Sequence, residues 1–142
     1  LGMKNSHILI YGEDILAGLS VNPADLRLQI ERELRSKLLL LREGYLEAEA
    51  KPRHLRSLIS RSLTAFMAIF NALLYLKQGQ MQQGRREIIK EMGKTFTIDT
   101  SVFMLCADIK EGKDKFSSTE VMDIFRKYLQ EVNKICEVVD QL

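Results

Sequence analysis

A stripe of polar side chains on an otherwise apolar segment has the clearest capacity for chemistry in this sequence. Arg61, Thr64, Asn71 and Tyr75 fall on one side of residues 55–76 when that segment is drawn as a helix. A lone arginine among small residues can grip a phosphate or carboxylate with its fixed fork of donors, and Asn71 and Tyr75 could add hydrogen bonds. The alternative is structural: Arg61 pairs with a glutamate of the preceding helix, and Asn71 is satisfied inside the fold.

Two more arginines could join this set. Arg35 and Arg42 lie seven residues apart on a predicted helix, so they share one face and could point into the same groove, or equally into water. The predicted substrate-binding residues are therefore Arg61, Thr64, Asn71, Tyr75, Arg35 and Arg42.

Catalytic and metal-binding motifs are not found in the sequence. It contains no GxxxxGK[ST], GxGxxG or HExxH pattern, and most acidic residues lie beside basic ones on helix faces, where solvated ion pairs are the rule. Cys106 and Cys136 lie in apolar patterns, outside any CxxC pair, and we expect free, buried thiols rather than a disulfide or a metal site. No catalytic residue and no metal ligand is predicted.

The segment that carries the polar stripe is predicted to be a buried central helix. Leucine, isoleucine and phenylalanine recur at helical spacing from Leu55 to Leu76, and the opposite side holds small, uncharged residues apart from Arg61. We therefore expect this helix to be covered on most sides, with Phe66 and Phe70 buried between the first and last long helices.

Cap and stop signals place the other elements. Residues 1–21, with the apolar run from His7 to Tyr11, read as a connector from a missing or separate N-terminal domain, and residues 22–142 as one bundle domain. A first long helix is predicted from Asn22-Pro23 to about Ala50, and the central helix follows Pro52. Two short helices are predicted, one from Arg85 to Met92 that ends at Gly93 and one from Asp99 to Ile109. The last helix follows the capping box of Ser117 and Glu120. The fold class is all-α: an antiparallel helical bundle of three long and two short helices.

Composition limits the function classes. A chain of 142 residues with a net charge of +2 is long enough for one domain with a real core, and its balanced charge gives no electrostatic case for nucleic acid or a membrane surface. The uninterrupted apolar stretch Ser62–Leu76 is shorter than the about 20 residues of a bilayer span. We expect a cytoplasmic protein.

Three phrases of the sequence resemble a known family. YGEDILAGL (11–19), DLRLQIERELRSKLLLLREGYL (25–46) and LRSLISRSLTAFMAIFNALLYL (55–76) resemble the C-terminal half of bacterial nucleotidyltransferase family proteins, in which a helical, HEPN-like, substrate-binding-type domain follows a small α/β catalytic domain. The resemblance runs from about Ile8 to Leu142. It implies an accessory bundle that packs against a catalytic domain, in cis or in trans, helps to form the acceptor cleft and mediates dimerisation.

Two departures from the family patterns limit this reading. The Gly-Ser turn and Asp-x-Asp pair of the catalytic domain are not in this chain, so Mg²⁺ and a nucleoside triphosphate are expected only if a separate catalytic domain is present. The HEPN nuclease motif, an Arg followed after four to six residues by His, is also missing, because Glu47, Ala48 and Glu49 stand at those separations before His54.

Three interpretations remain open. The first is the accessory domain of a nucleotidyltransferase, which predicts the catalytic signature in the sequence upstream of Leu1 or in an adjacent gene. The second is a helical protein-interaction module such as a toxin–antitoxin partner, and the third is an independent enzyme, which would need a deep pocket with titratable groups.

The sequence also predicts a homodimer. Ala65, Ala68 and Ala72 leave a shallow strip on the central helix along which a second copy could approach. In the alternative, the short helices between Arg85 and Ile109 fold back over this helix and leave a monomer.

Overall fold

The computed structural model describes residues 22–48 and 51–142. This part of the chain forms five α-helices and no strand, which confirms the predicted all-α class. The helices are α1 (Pro23–Ala48), α2 (Pro52–Gln78), α3 (Arg85–Thr95), α4 (Thr100–Lys110) and α5 (Ser118–Asp140). The predicted connector of residues 1–21 lies outside the described residues.

The predicted helix starts are confirmed by their hydrogen bonds. The side chain of Asn22 accepts from the backbone N–H of Ala24 at 2.9 Å before α1. The Asp99 carboxylate accepts from the backbone N–H of Ser101 at the start of α4. Before α5, Ser117 and Glu120 form a reciprocal capping box.

The predicted stop of α3 at Gly93 is wrong. The helix continues to Thr95 and ends at Phe96, whose backbone is extended. A Cβ atom at Gly93 would overlap Cγ2 of Thr100, the first residue of α4. A side chain at position 93 would therefore have to displace the Thr100 methyl group, and this glycine lies inside the helix rather than at its end.

α2 is the centre of the bundle. Each of the other four helices packs on it, and among themselves α1 contacts α5, α5 contacts α4, and α4 contacts α3. Within the described residues α1 contacts neither α3 nor α4. The four helices thus surround α2 in the order α1, α5, α4, α3, and one side of α2 is left open between α1 and α3.

Side-chain contacts fix the direction of α5 relative to α1. Arg35 pairs with Asp140, and two helical turns further along α1 Arg42 donates to Asn133 at 2.9 Å. Residues later in α1 therefore meet residues earlier in α5, which makes these two helices antiparallel, as predicted.

A group of aromatic rings joins four of the helices. Phe66 of α2 meets Tyr128 of α5 edge to face at 5.9 Å between ring centroids, and Phe70 meets Phe103 of α4 in the same way at 5.5 Å. Tyr45 of α1 stacks on Phe125 of α5 at 5.0 Å. Phe66 and Phe70 are fully buried as predicted, but α4 as well as the long helices encloses them.

α2 is the one helix in the described part of the chain that is long and apolar enough to cross a membrane, by length and composition only. The other helices bury 61% of its most apolar window. The core helix of a soluble protein passes the same test, and the position of α2 at the centre of the bundle matches that case.

Candidate functional site

The open side of α2 is a narrow polar surface, called here the open strip: Ser57, Arg61, Thr64, Ala68 and Tyr75. Ser57, Arg61 and Tyr75 are exposed, and Thr64 and Ala68 are half-buried. The predicted covering of α2 on most sides is confirmed, because its remaining perimeter is largely buried. Three of the six predicted substrate-binding residues (Arg61, Thr64 and Tyr75) lie on this strip.

Arg61 keeps most of its hydrogen-bonding capacity unused. Its Nε donates to Ser57 Oγ at 3.3 Å, one helical turn earlier, and it forms no ion pair within the described residues. The structural alternative, a pair with a glutamate of α1, is not formed in that part of the chain. The guanidinium therefore presents free N–H donors to solvent on the open side of α2.

Asn71 has the structural role that the sequence analysis gave as the alternative to ligand binding. Its side chain is fully buried and makes two hydrogen bonds to the backbone of Gln82: its amide nitrogen donates at 2.9 Å and its oxygen accepts at 2.8 Å. Because Gln82 is held about two turns before the end of α2, the loop of residues 79–84 doubles back along that helix. Asn71 therefore positions this loop beside the open strip, and its burial keeps its side chain away from a ligand on the surface.

Arg35 and Arg42 do not join the strip. Both are exposed, and both lie on the side of α1 that meets α5, where their partners are Asp140 and Asn133. The open strip lies on α2 between α1 and α3, on the opposite flank of α1 from α5. The structure thus divides the predicted set into an open strip, a buried loop clamp and a separate pair of arginines.

The small residues predicted to receive a second copy are partly covered. Ala72 is fully buried, and Ala65 and Ala68 are half-buried. α3 and α4 pack on α2, which is the arrangement that the sequence connected with a monomer. A dimer through these alanine positions would therefore bury less apolar surface than the sequence indicated.

A cluster of charges joins the start of α3 to the end of α4, and the sequence did not single it out. Arg86 Nη2 donates to Asp108 at 2.7 Å and to Glu111 at 2.9 Å, and Arg85 reaches the other Glu111 oxygen at 2.8 Å. The hydrogen bond from Arg86, with those from Lys113 and Arg85, lowers the pKa of Glu111 to about 2. Its carboxylate is fully engaged by cations, so the cluster ties two helices together and offers no general base.

The buried nucleophiles are part of the core. Cys106 and Cys136 are free and buried, as predicted. Burial raises the pKa of the Cys106 thiol far above its usual range and that of Cys136 to about 11, so neither thiol is activated. Burial also raises the pKa of Tyr128, whose hydroxyl lies 2.7 Å from Ser62 Oγ. These groups stabilise the packing and are not poised for reaction.

Glu131 is a buried acid with a structural explanation. One of its oxygens accepts from the backbone N–H of Asp99 at 2.8 Å, at the start of α4, and the other accepts from Lys134 at 2.9 Å. A carboxylate at a helix N-terminus meets unpaired N–H groups and the positive end of the helix dipole. In the sequence, Glu131 lies between Tyr128 and Ile135 on the apolar face of α5. This position was the signal that its side chain is buried.

Comparisons with known proteins give no relative for this chain: no family model matches it, and no curated protein or solved structure matches it. Among residues 22–48 and 51–142, no group of three or more His, Cys, Asp or Glu side chains could hold a metal ion. The candidate site is therefore defined by the geometry of the open strip alone.

Proposed function

We propose that this chain is an accessory, substrate-binding-type helical domain that works in the cytoplasm with a nucleotidyltransferase catalytic domain, in cis or in trans. Its part is to hold an acceptor substrate through an anionic group on the open strip, with Arg61 as the main contact. Mg²⁺ and the nucleoside triphosphate belong to the catalytic domain. The catalytic partner is inferred from the resemblance of the sequence to HEPN-like domains. The ligand site is inferred from the exposed residues of the open strip.

One observation carries the ligand site. Half of the arginines in the described residues are held by another part of the fold, for example Arg56 by Asp114 at 2.8 Å, whereas Arg61 lies on the open side of the central helix without a carboxylate. An unpaired guanidinium can bind a phosphate or carboxylate with two parallel hydrogen bonds. Thr64 lies about one turn after Arg61 on the same strip and supplies a hydroxyl group that can add to this contact. Tyr75 lies fourteen residues after Arg61, about 21 Å along the helix, and is too far away to contact the same anion.

Titration with inorganic phosphate, followed by backbone amide NMR shifts, tests the site. We expect saturable shifts confined to residues 57–68 and their loss in Arg61→Ala. The matched control is Arg53→Ala, because Arg53 is an exposed arginine of the same helix with no ion pair in the described residues. Equal binding by the two variants, or shifts spread over all exposed basic residues, would overturn the role of Arg61.

A second measurement tests the division of labour. The purified chain, mixed with nucleoside triphosphates and Mg²⁺, should show no nucleotide transfer, because this chemistry needs carboxylates that bridge metal ions at close range. Robust Mg²⁺-dependent turnover would contradict the accessory role. Turnover that arises only on addition of a separately encoded catalytic domain would support it.

The second candidate function, a helical protein-interaction module such as a toxin–antitoxin partner, is favoured by a different observation. Four of the six large apolar side chains exposed in the described residues belong to α1, namely Leu28, Leu39, Leu40 and Leu46. This candidate predicts a tight one-to-one complex with another protein and no phosphate binding. The titration above therefore separates the two functions.

A further inference from the structure

Lys110, the last residue of α4, reaches the central helix at the turn that carries Arg61. Its ammonium group donates to the carbonyl oxygen of Ser60 at 2.8 Å. The carbon of that carbonyl is bonded to the backbone nitrogen of Arg61, and in an α-helix the carbonyl of residue 60 points at the backbone N–H of residue 64. The ammonium group therefore lies beside the backbone of Arg61 and Thr64, two residues of the open strip.

The charge of Lys110 has no carboxylate partner in the described part of the chain. Glu111 follows it in sequence, but the two oxygens of Glu111 are held by Arg85 at 2.8 Å and by Arg86 at 2.9 Å. Burial and the nearby Arg85 guanidinium lower the pKa of Lys110. A half-buried cation beside a second cation is unfavourable unless an anion compensates it.

The acidic side chains of α1 do not neutralise Arg61 from the other flank of the open strip. Gly44 of α1 lies against Leu58 of α2, which brings Glu43 and Glu47 to the same end of α2 as Arg61. Both glutamates are exposed, and neither pairs with Arg61 in the described residues. The first half of the open strip therefore holds two cations that the described fold leaves without a carboxylate.

We propose that Arg61 and Lys110 together bind one phosphate monoester, so that the acceptor substrate is a phosphorylated molecule. Such a group carries a charge between about −1.5 and −2 at pH 7 and three acceptor oxygens, which suits two unpaired cations, whereas a carboxylate carries a single charge. The contact of Arg61 with Ser57 is 3.3 Å, longer than an ordinary hydrogen bond, so the exposed guanidinium can turn towards Lys110. The inference rests on the proposed function, because it keeps Arg61 as the main contact and adds a second residue and the charge of the ligand.

Phenyl phosphate and benzoate, which share a ring and differ in charge, test the substrate class. At about pH 8, where a phosphomonoester has lost its second proton, the wild-type chain should bind phenyl phosphate about tenfold more tightly than benzoate, the effect of about one charge-assisted hydrogen bond. Lys110→Gln should remove this preference and leave benzoate binding, which depends on Arg61, unchanged. The matched control is Lys90→Gln, because Lys90 is an exposed lysine of α3 without an ion pair in the described residues. Calorimetric titration measures the affinities, and circular dichroism verifies that each variant remains folded.

A second measurement uses the unchanged chain. Acetic anhydride acetylates lysine amines, and phenyl phosphate should slow the modification of Lys110 relative to Lys90, as read by mass spectrometry of peptides, whereas benzoate should not. Equal, Arg61-dependent binding of the two ligands without protection of Lys110 overturns the phosphomonoester assignment and leaves the proposed function intact. Failure of the chain to bind either ligand, or binding that survives Arg61→Ala, overturns both.

Discussion

Phe66 contacts two other aromatic rings of the core. It is fully buried, with Phe70 at 6.0 Å and Tyr128 at 5.9 Å between centroids. We expect Phe66→Ala to lower the free energy of unfolding by about 3–5 kcal/mol, because the variant loses apolar burial and leaves a cavity. Urea denaturation measures this, with Leu142→Ala at an exposed position as the control. A loss below about 1 kcal/mol would mean that the ring does not sit in the core.

Glu111 makes stability depend on acid pH. Its pKa is about 2 in the folded chain and close to 4.5 in the unfolded chain, so the stabilisation is present above about pH 4.5 and is lost as the pH falls towards 2. Glu111→Gln should cost about 1–3 kcal/mol at pH 7 and flatten the pH dependence of unfolding in that window. The control is Glu87→Gln, an exposed glutamate of α3. Equal pH profiles of the two variants would show that the cluster contributes no stability.

At the scale of helices, sequence reasoning identified all five elements of the described chain. Because helix starts depend on local hydrogen bonds, the sequence was sufficient to predict the caps Asn22, Asp99 and Ser117. The burial of the central helix could be predicted from the helical spacing of its apolar residues. Gly93 was misread because a glycine that permits close packing and one that ends a helix look the same in sequence.

The contact at Gly93 can be tested by a double-mutant cycle. Gly93→Ala gains about 1 kcal/mol of helix propensity but brings a methyl group onto Cγ2 of Thr100, an overlap that costs about 1–3 kcal/mol. The single variant should therefore be destabilised. In a Thr100→Ser background, which lacks Cγ2, Gly93→Ala should instead stabilise the chain by up to about 1 kcal/mol. Denaturation of the four proteins gives the coupling, and an equal effect in both backgrounds would rule out this contact.

At the scale of the whole molecule, the sequence could not place side chains that depend on which helices become neighbours. The polar stripe of α2 was predicted as one site, but the structure buries Asn71 under a returning loop and leaves Arg61 exposed between α1 and α3. The cluster of Arg85, Arg86 and Glu111 joins residues about 25 positions apart, and no local pattern relates them. Such pairings follow from the packing order around α2, which periodicity does not encode.

The enclosure of α2 by four helices has a consequence for how the molecule opens. Removal of any one neighbour uncovers a side of α2, but the other three still hold its backbone. The amides of Leu63 to Leu74 should therefore exchange with deuterated solvent only when the entire chain unfolds, with a protection that matches the global free energy. Amides of α3, which contacts only α2 and α4 within the described residues, should exchange by smaller openings. Native-state hydrogen exchange at low urea compares the two, and faster exchange in α2 than in α3 would contradict this order of opening.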